Sequence, residues 1–307
     1  MAELLSGVEA PKDGTIKNNE LKQILKRRGC EDNVIKLILD LADGRDIMDC
    51  SGYSGSTTII IPSSPTDQGY SIKINDNEGS LQEEVILMDF FAKYGLTQKV
   101  LNYIQNKKDY IITRKMPGEM ALTQLCELKS LAEFMGKSLR SFHEINWDKT
   151  TMTAQEKQII LARSNQIFER CQKNTNGLSP MSDYQNDNNF KDMKNYIAQN
   201  KNQYVADDVI FHGDFNPRNV FSNGQHFTGL IDFTDSGYGD RHYDIYWTMW
   251  SVSLYLGLQG NPIMVNKCEE TFKNAYGRDK IDENRMTLCK KMNCMYWQDS
   301  NDIKGLM

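Results

Sequence analysis

Apolar and polar positions follow two different rhythms in the two parts of this chain. Residues 18–42 carry two short helical patterns. Leu21, Ile24 and Leu25 mark one apolar face, Val34, Leu37, Ile38 and Leu41 another, and the pattern breaks near Gly29. From Cys50 a Gly/Ser-rich turn runs into the β-branched stretch Thr57–Ile61, which predicts a loop and then a strand. Pro62 to Gly69 reads as a turn, and Tyr70–Ile74 alternates as the second strand of a hairpin. Residues 81–94 predict a helix, and 99–104 and 109–114 two further strands. Pro117-Gly118 then punctuates the chain.

Beyond that point the period becomes helical. Residues 121–146 and 153–173 carry long helical patterns, 174–189 are polar and turn-rich, and another helix is expected around 190–201. Segments 209–215 and 227–233 each place a short apolar strand before an acidic residue, and a Trp- and Tyr-rich helix is expected from Tyr243 to Leu256. The remainder reads mostly as helix. The expected architecture is α+β, in two lobes with a cleft between them. A small β-rich N-terminal lobe spans residues 1–116, with a helical extension over 1–45, and a larger, mainly helical lobe spans 117–307.

Composition narrows the field. At 307 residues the chain can bury a sizeable core. Its net charge of −5 and lack of a long basic run argue against a nucleic-acid partner; a mild acidic excess suits a cationic small molecule but is also what many cytosolic proteins show by default. The seven cysteines are odd in number, scattered and without a CxxC pair, so reduced, packed thiols are expected rather than disulfides or zinc. The first residues carry acids and lack the basic start and apolar core of a secretion signal, and no stretch has the length and apolarity of a membrane span. A cytoplasmic location is expected, with no membrane contact and no signal for a protein partner.

The segment richest in chemistry is His212-Gly213-Asp214-Phe215-Asn216-Pro217-Arg218-Asn219, followed by Ile231-Asp232-Phe233 after an apolar run. Phosphoryl transfer needs a carboxylate to orient the attacking hydroxyl, oxygen ligands to hold magnesium on the nucleotide phosphates, and a cation to steady those phosphates. Asp214 and Asn219 lie at the two ends of one tight loop, suited to an acid beside the acceptor and an amide oxygen on the metal. Asp232 would supply a charged metal ligand. The D-x4-N spacing with a second Asp after a strand matches a kinase catalytic loop and its metal-binding Asp. Taken alone, either Asp would be an ordinary turn residue and His212 a satisfied structural histidine; the joint pattern is what carries the chemistry. Lys73, mid-strand, precedes a helix bearing Glu83 and Glu84, the order required of a phosphate-binding Lys and its Glu partner. Glu84 is the better partner, because Val85 and Met88 set the buried face beside it. Ser54, Gly55 and Ser56, in a loop that is not a Walker A motif, offer donors to phosphate oxygens.

These blocks, together with Gly239–Ile245 (GDRHYDI), resemble the signatures of the aminoglycoside phosphotransferase and choline-kinase superfamily, and within it the bacterial aminoglycoside 3'-phosphotransferases. Residues 138–146 (SLRSFHEIN) and 111–118 (IITRKMPG) are similar to the family's helix end before the core and to its hinge, so the resemblance covers roughly residues 50–260. It implies a protein-kinase-like bilobal fold with ATP or GTP in the cleft. It also implies Asp214 as catalytic base, Asn219 and Asp232 on Mg2+, a Lys73–Glu84 pair, and a nucleotide base met at Thr113, Arg114 and Met116. Two places depart from the 3' enzymes. Asp235 and Tyr238 stand where those often carry Arg, and the tail MYWQDSNDIKGLM is longer and different. Acidic candidates for a polycationic acceptor are Asp235, Asp299 and Asp302, with Asp183 and Asp187 in the polar stretch; Tyr296 and Trp297 would pack or stack.

Three functions follow from this reading. The leading one is an antibiotic O-phosphotransferase acting on aminoglycosides. The second is a housekeeping kinase for a small alcohol such as choline, ethanolamine, homoserine or a sugar derivative, for which Tyr246, Trp247 and Trp250 could form an aromatic cage. The third is a non-catalytic nucleotide-binding protein on a kinase scaffold. Such a protein would be expected to lose the base or a metal ligand, and this chain keeps both.

Overall fold

A computed structural model describes residues 14–51, 56–173, 187–206 and 208–296. The chain divides into two compact units, with the boundary between Met116 and Pro117.

The N-terminal unit is built on a fully antiparallel six-stranded sheet. Its strands are β1 (Gly14–Ile16), β2 (Ile47–Ser51), β3 (Ser56–Ile61), β4 (Tyr70–Asn75), β5 (Val100–Gln105) and β6 (Asp109–Arg114), in the order β1-β2-β3-β4-β6-β5. Between β1 and β2 lie α1 (Asn18–Arg27) and α2 (Asp32–Ala42), separated by a turn in which Gly29 adopts φ +72°. The apolar faces of these helices meet the sheet: Leu21, Leu25, Val34, Ile35 and Ile38 form one buried cluster with Ile59, Ile61, Ile72, Ile74, Tyr110 and Ile112. Burying that apolar area is what holds the unit together. Tyr110 also donates a 2.5 Å hydrogen bond to Glu31. Helix α3 (Gln82–Ala92) contacts β5.

The structure extends the expected outline here. Cys50 and Ser51 belong to β2 rather than to a loop, and β1 adds a strand ahead of the helices. Both strands are short and sit toward one end of the sheet, so they carry little alternation to read.

The C-terminal unit is mainly helical. It holds α4 (Ala121–Gln124), α5 (Leu128–His143), α6 (Ala154–Lys173), α7 (Asp187–Gln199), α8 (Arg241–Tyr255), α9 (Pro262–Tyr276) and α10 (Glu283–Tyr296). Two small antiparallel sheets accompany them. One orders β10 (Phe227–Leu230), β9 (Val220–Ser222) and β7 (Glu119–Met120); the other pairs β8 (Val209–Phe211) with β11 (Gly237–Gly239). The pattern over 121–146 is two helices rather than one, because Glu127 takes an extended conformation (φ −92°, ψ 139°) at the start of α5. Helices α5 and α9 pack closely at Gly136, where an added Cβ would lie 2.7 Å from the Phe272 carbonyl oxygen. A second core gathers Phe168, Phe211, Tyr243, Leu288 and Met292 with the buried thiols Cys171, Cys289 and Cys294. All seven cysteines are free, and among the described residues no helix is long and apolar enough to cross a membrane.

Candidate active site

Two groups of the singled-out residues come together, one in each unit. In the N-terminal unit, Lys73 lies on β4 opposite Thr58 of β3 and Ile111 of β6. Its Nζ donates to both carboxylate oxygens of Glu84, each at 2.8 Å. Glu84 is 2% exposed in the first turn of α3, and Glu83 is solvent-facing. A buried carboxylate with a bidentate cation is a rigid mount for the ammonium group. Ser56, buried at the start of β3, accepts a hydrogen bond from Asn75; Ser54 and Gly55 lie outside the described residues. Thr113 and Met116 are buried at the end of β6 and just beyond it. The Arg114 guanidinium pairs with Asp67 and lies 4.3 Å from the Tyr70 ring centroid, which leaves only its backbone for other work.

In the C-terminal unit, β8 ends at Phe211 because the next residues turn. Gly213 takes φ +85°, and a Cβ there would stand 2.4 Å from the Asp235 carbonyl oxygen. Only glycine lets the loop lie against that backbone. Asp214 then emerges between β8 and β9. Its Oδ1 accepts from Asn216 Nδ2 and Trp247 Nε1, both at 2.7 Å, and its Oδ2 accepts from Asn219 Nδ2 at 2.8 Å. The Asn219 amide also donates to the Asp214 carbonyl at 3.0 Å, and the Asn219 carbonyl accepts from Ile231 N, tying the loop to the end of β10. Asp232 follows with φ +63°, a backbone conformation uncommon for a non-glycine residue, and its Oδ1 accepts from Thr234. That conformation ends β10 at Leu230, short of the expected strand.

Burial pushes the Asp214 carboxyl up, the charge of Asp232 adds to it and Asp235 adds more; the Asn216 and Trp247 bonds oppose them, and the result is about 8. Asp232 and Asp235 thus act on Asp214 as like charges that disfavour its ionisation. Asp299 and Asp302 lie outside the described residues, as do Asp183 and Trp297.

His212 is fully buried, and burial holds its pKa down. Its Nε2–H donates to the Ile231 carbonyl and its Nδ1 accepts from the Asp214 amide, so the ring is a neutral staple between the two acidic segments.

With a strand-borne Lys–Glu pair and a loop presenting Asp214, Asn219 and Asp232 in place, comparison with known proteins is decisive. The chain belongs to the phosphotransferase enzyme family. The family model matches residues 66–261. A probable aminoglycoside 3'-phosphotransferase of Lactococcus lactis is 28% identical over 226 residues, covering 72% of this chain and 80% of that protein. An aminoglycoside phosphotransferase of Streptomyces rimosus shares the fold with a TM-score of 0.57 at 18% identity, covering 87% of this chain and 99% of that one. An ethanolamine kinase of Plasmodium vivax does so with a TM-score of 0.54 at 13% identity, over 98% and 95% of the two chains. The architecture is the protein-kinase-like one, with an antiparallel-sheet N-terminal part and a helical C-terminal part.

Residues that sequence reasoning did not single out hold this loop in place. Asp244, fully buried on α8, accepts the backbone N–H groups of His212 at 2.7 Å and Gly213 at 2.8 Å. His143 at the end of α5 approaches the same carboxylate through Nε2 at 3.2 Å, and its Nδ1 accepts from the Tyr276 hydroxyl at 2.8 Å. The signal lay in GDRHYDI and SLRSFHEIN; what was missing was that the two motifs touch. Trp247, weighed as part of a cage, bonds Asp214 and stacks on Trp250 at 5.2 Å, while the Lys290 ammonium of α10 lies over the Tyr246 ring.

The donor set fits a hard divalent cation. The Asn219 amide nitrogen is committed to Asp214, which turns its oxygen toward other work, and the crowded carboxylates are relieved by positive charge. Among the described residues no cluster of three or more His, Cys, Asp or Glu forms a complete metal cage. An ion that takes its remaining ligands from nucleotide phosphates and water needs none.

Proposed function

We propose that this protein is a magnesium-dependent kinase that transfers the γ-phosphoryl group of ATP or GTP to a hydroxyl of an aminoglycoside, as a cytoplasmic resistance enzyme. The observation that supports it most is the triple hydrogen-bonded Asp214 carboxylate beside Asp232 and Asn219. Asp214 orients the acceptor hydroxyl and takes its proton as the phosphoryl group moves. Lys73, held by Glu84, steadies the nucleotide phosphates, and Ser54, Gly55 and Ser56 add donors to them. Backbone groups near Thr113, Arg114 and Met116 meet the purine. Asn219 and Asp232 would hold Mg2+, which when bound neutralises phosphate charge. Asp235, with Asp299 and Asp302 from the tail, would meet the acceptor's ammonium groups.

The substrate class draws on the name of the Lactococcus lactis relative and on the Streptomyces rimosus enzyme, whose fold is also known in complex with ADP and streptomycin. The cage that would favour choline gains no support, since Trp247 is buried with its N–H committed to Asp214 and the Lys290 ammonium lies over the Tyr246 ring. Radiolabel transfer from γ-labelled ATP or GTP to an aminoglycoside panel, with and without EDTA, tests the reading. Metal-dependent labelling of at least one drug is expected. Turnover of a metabolic alcohol with none of the drugs labelled would sink the substrate assignment.

A further inference from the structure

One face of α8 reads the Asp214 loop at three levels. Asp244 grips the backbone N–H groups of His212 and Gly213, Thr248 donates to the Phe215 carbonyl at 2.8 Å, and Trp247 donates to the Asp214 carboxylate at 2.7 Å. These positions are spaced i, i+3 and i+4, so they project from the same side of the helix. The helix itself is fixed at its N-terminus, where Asp240 accepts from His242 N and from Arg285. Trp247 is 5% exposed and its ring stacks on Trp250. The indole N–H is therefore held in place rather than recruited.

A carboxylate has about four lone-pair directions for hydrogen bonds. Oδ1 of Asp214 takes two donors, Trp247 and Asn216, while among the described residues Oδ2 takes one, Asn219. The remaining direction belongs to Oδ2. We propose that Trp247 is a positioning residue for phosphoryl transfer, whose indole N–H locks the Asp214 carboxylate so that Oδ2 meets the acceptor hydroxyl. In that step the hydroxyl oxygen bonds to the γ-phosphorus and its proton passes to Oδ2. The bond from phosphorus to the bridging oxygen breaks, and the nucleoside diphosphate leaves with the electron pair. The inference rests on the reading of Asp214 as the base.

The test compares wild type, Trp247→Phe, Asp214→Ala and a protein carrying benzothienylalanine at position 247, which keeps the indole shape and replaces N–H by sulfur. Initial rates are measured with Mg·ATP and each aminoglycoside of the panel, and with water as acceptor, alongside thermal melts. Losing a hydrogen bond to a charged group should lower kcat by about tenfold to a hundredfold with both KM values within about twofold, in the isostere as in the Phe variant. Because the isostere preserves packing, a folding defect confined to Trp247→Phe leaves the decision with it. An unchanged kcat in the isostere, or a change in KM alone, while Asp214→Ala is inactive, overturns the role of Trp247 and leaves the base intact. Full activity of Asp214→Ala, or no turnover by wild type with any acceptor, overturns the base reading and the inference with it.

Discussion

Replacing Asp244 by Asn removes one charge and one acceptor from a fully buried position while nearly preserving shape. In the native protein Oδ2 accepts from His212 N at 2.7 Å and His143 Nε2 at 3.2 Å, and Oδ1 accepts from Gly213 N at 2.8 Å. An Asn can place its oxygen where Oδ2 was and keep two of these bonds. Its amide then faces the Gly213 N–H, donor against donor. An unmade bond to a buried donor costs about 1–3 kcal/mol, and turning two charge-assisted bonds into neutral ones costs about 1 kcal/mol each. Relief of carboxylate desolvation offsets part of that sum, leaving a net loss of about 2–4 kcal/mol. A loss of that size lowers the melting midpoint of a unit this large by about 5–15 °C. Differential scanning calorimetry of the whole chain, with the transition of the C-terminal unit followed by tryptophan fluorescence, measures it. A variant melting within about 1 °C of wild type would refute the claim that this carboxylate anchors the loop.

Three further outcomes are expected. Glu84→Gln should lower kcat/KM for nucleotide by about tenfold to a hundredfold in steady-state assays while the acceptor KM stays put, since Lys73 loses its charged mount. Gly213→Ala forces a side chain into φ +85° with its Cβ 2.4 Å from a carbonyl oxygen, and should melt several degrees below wild type with transfer lost; a wild-type melt would contradict the loop geometry. Acid should loosen the C-terminal unit through Asp208. Burial would raise its carboxyl from 3.8, but bonds and charges from Arg241 and Arg285 outweigh that and bring it down to about 2. A carboxyl with a depressed folded-state pKa adds stability that is whole above about pH 4 and lost as pH falls through about 2, roughly 2 kcal/mol here. Acid unfolding followed by circular dichroism should show this contribution shrink in Arg285→Met, and an unchanged acid limb in that variant would count against it.

Much of the fold was legible because its signals are local. The β-branched run Thr57–Ile61, the alternation of Tyr70–Ile74 and the helical faces around Leu21 and Val34 each express burial on one side of a single element, and each formed as expected. The strands β1, β2, β9 and β11 were missed, because three to five residues barely show a period and pairing with distant partners defines them. Helix pattern 121–146 was overextended, because the kink before α5 is a backbone choice at Glu127.

The site divides along the same line. Asp214, Asn219, Asp232, Lys73 and Glu84 stand out in sequence because the chemistry of phosphoryl transfer demands those side chains in that order along the chain. Which groups hold them was decided by the folded protein. Asp244 and His143 lie far apart in sequence yet share a hydrogen bond, and Trp247 is one aromatic among several until α8 aims its N–H at Asp214. A motif's residue types survive in the one-dimensional record because each does its own chemistry. Their orientation does not, because it comes from hydrogen bonds between elements that only packing brings within 3 Å of each other.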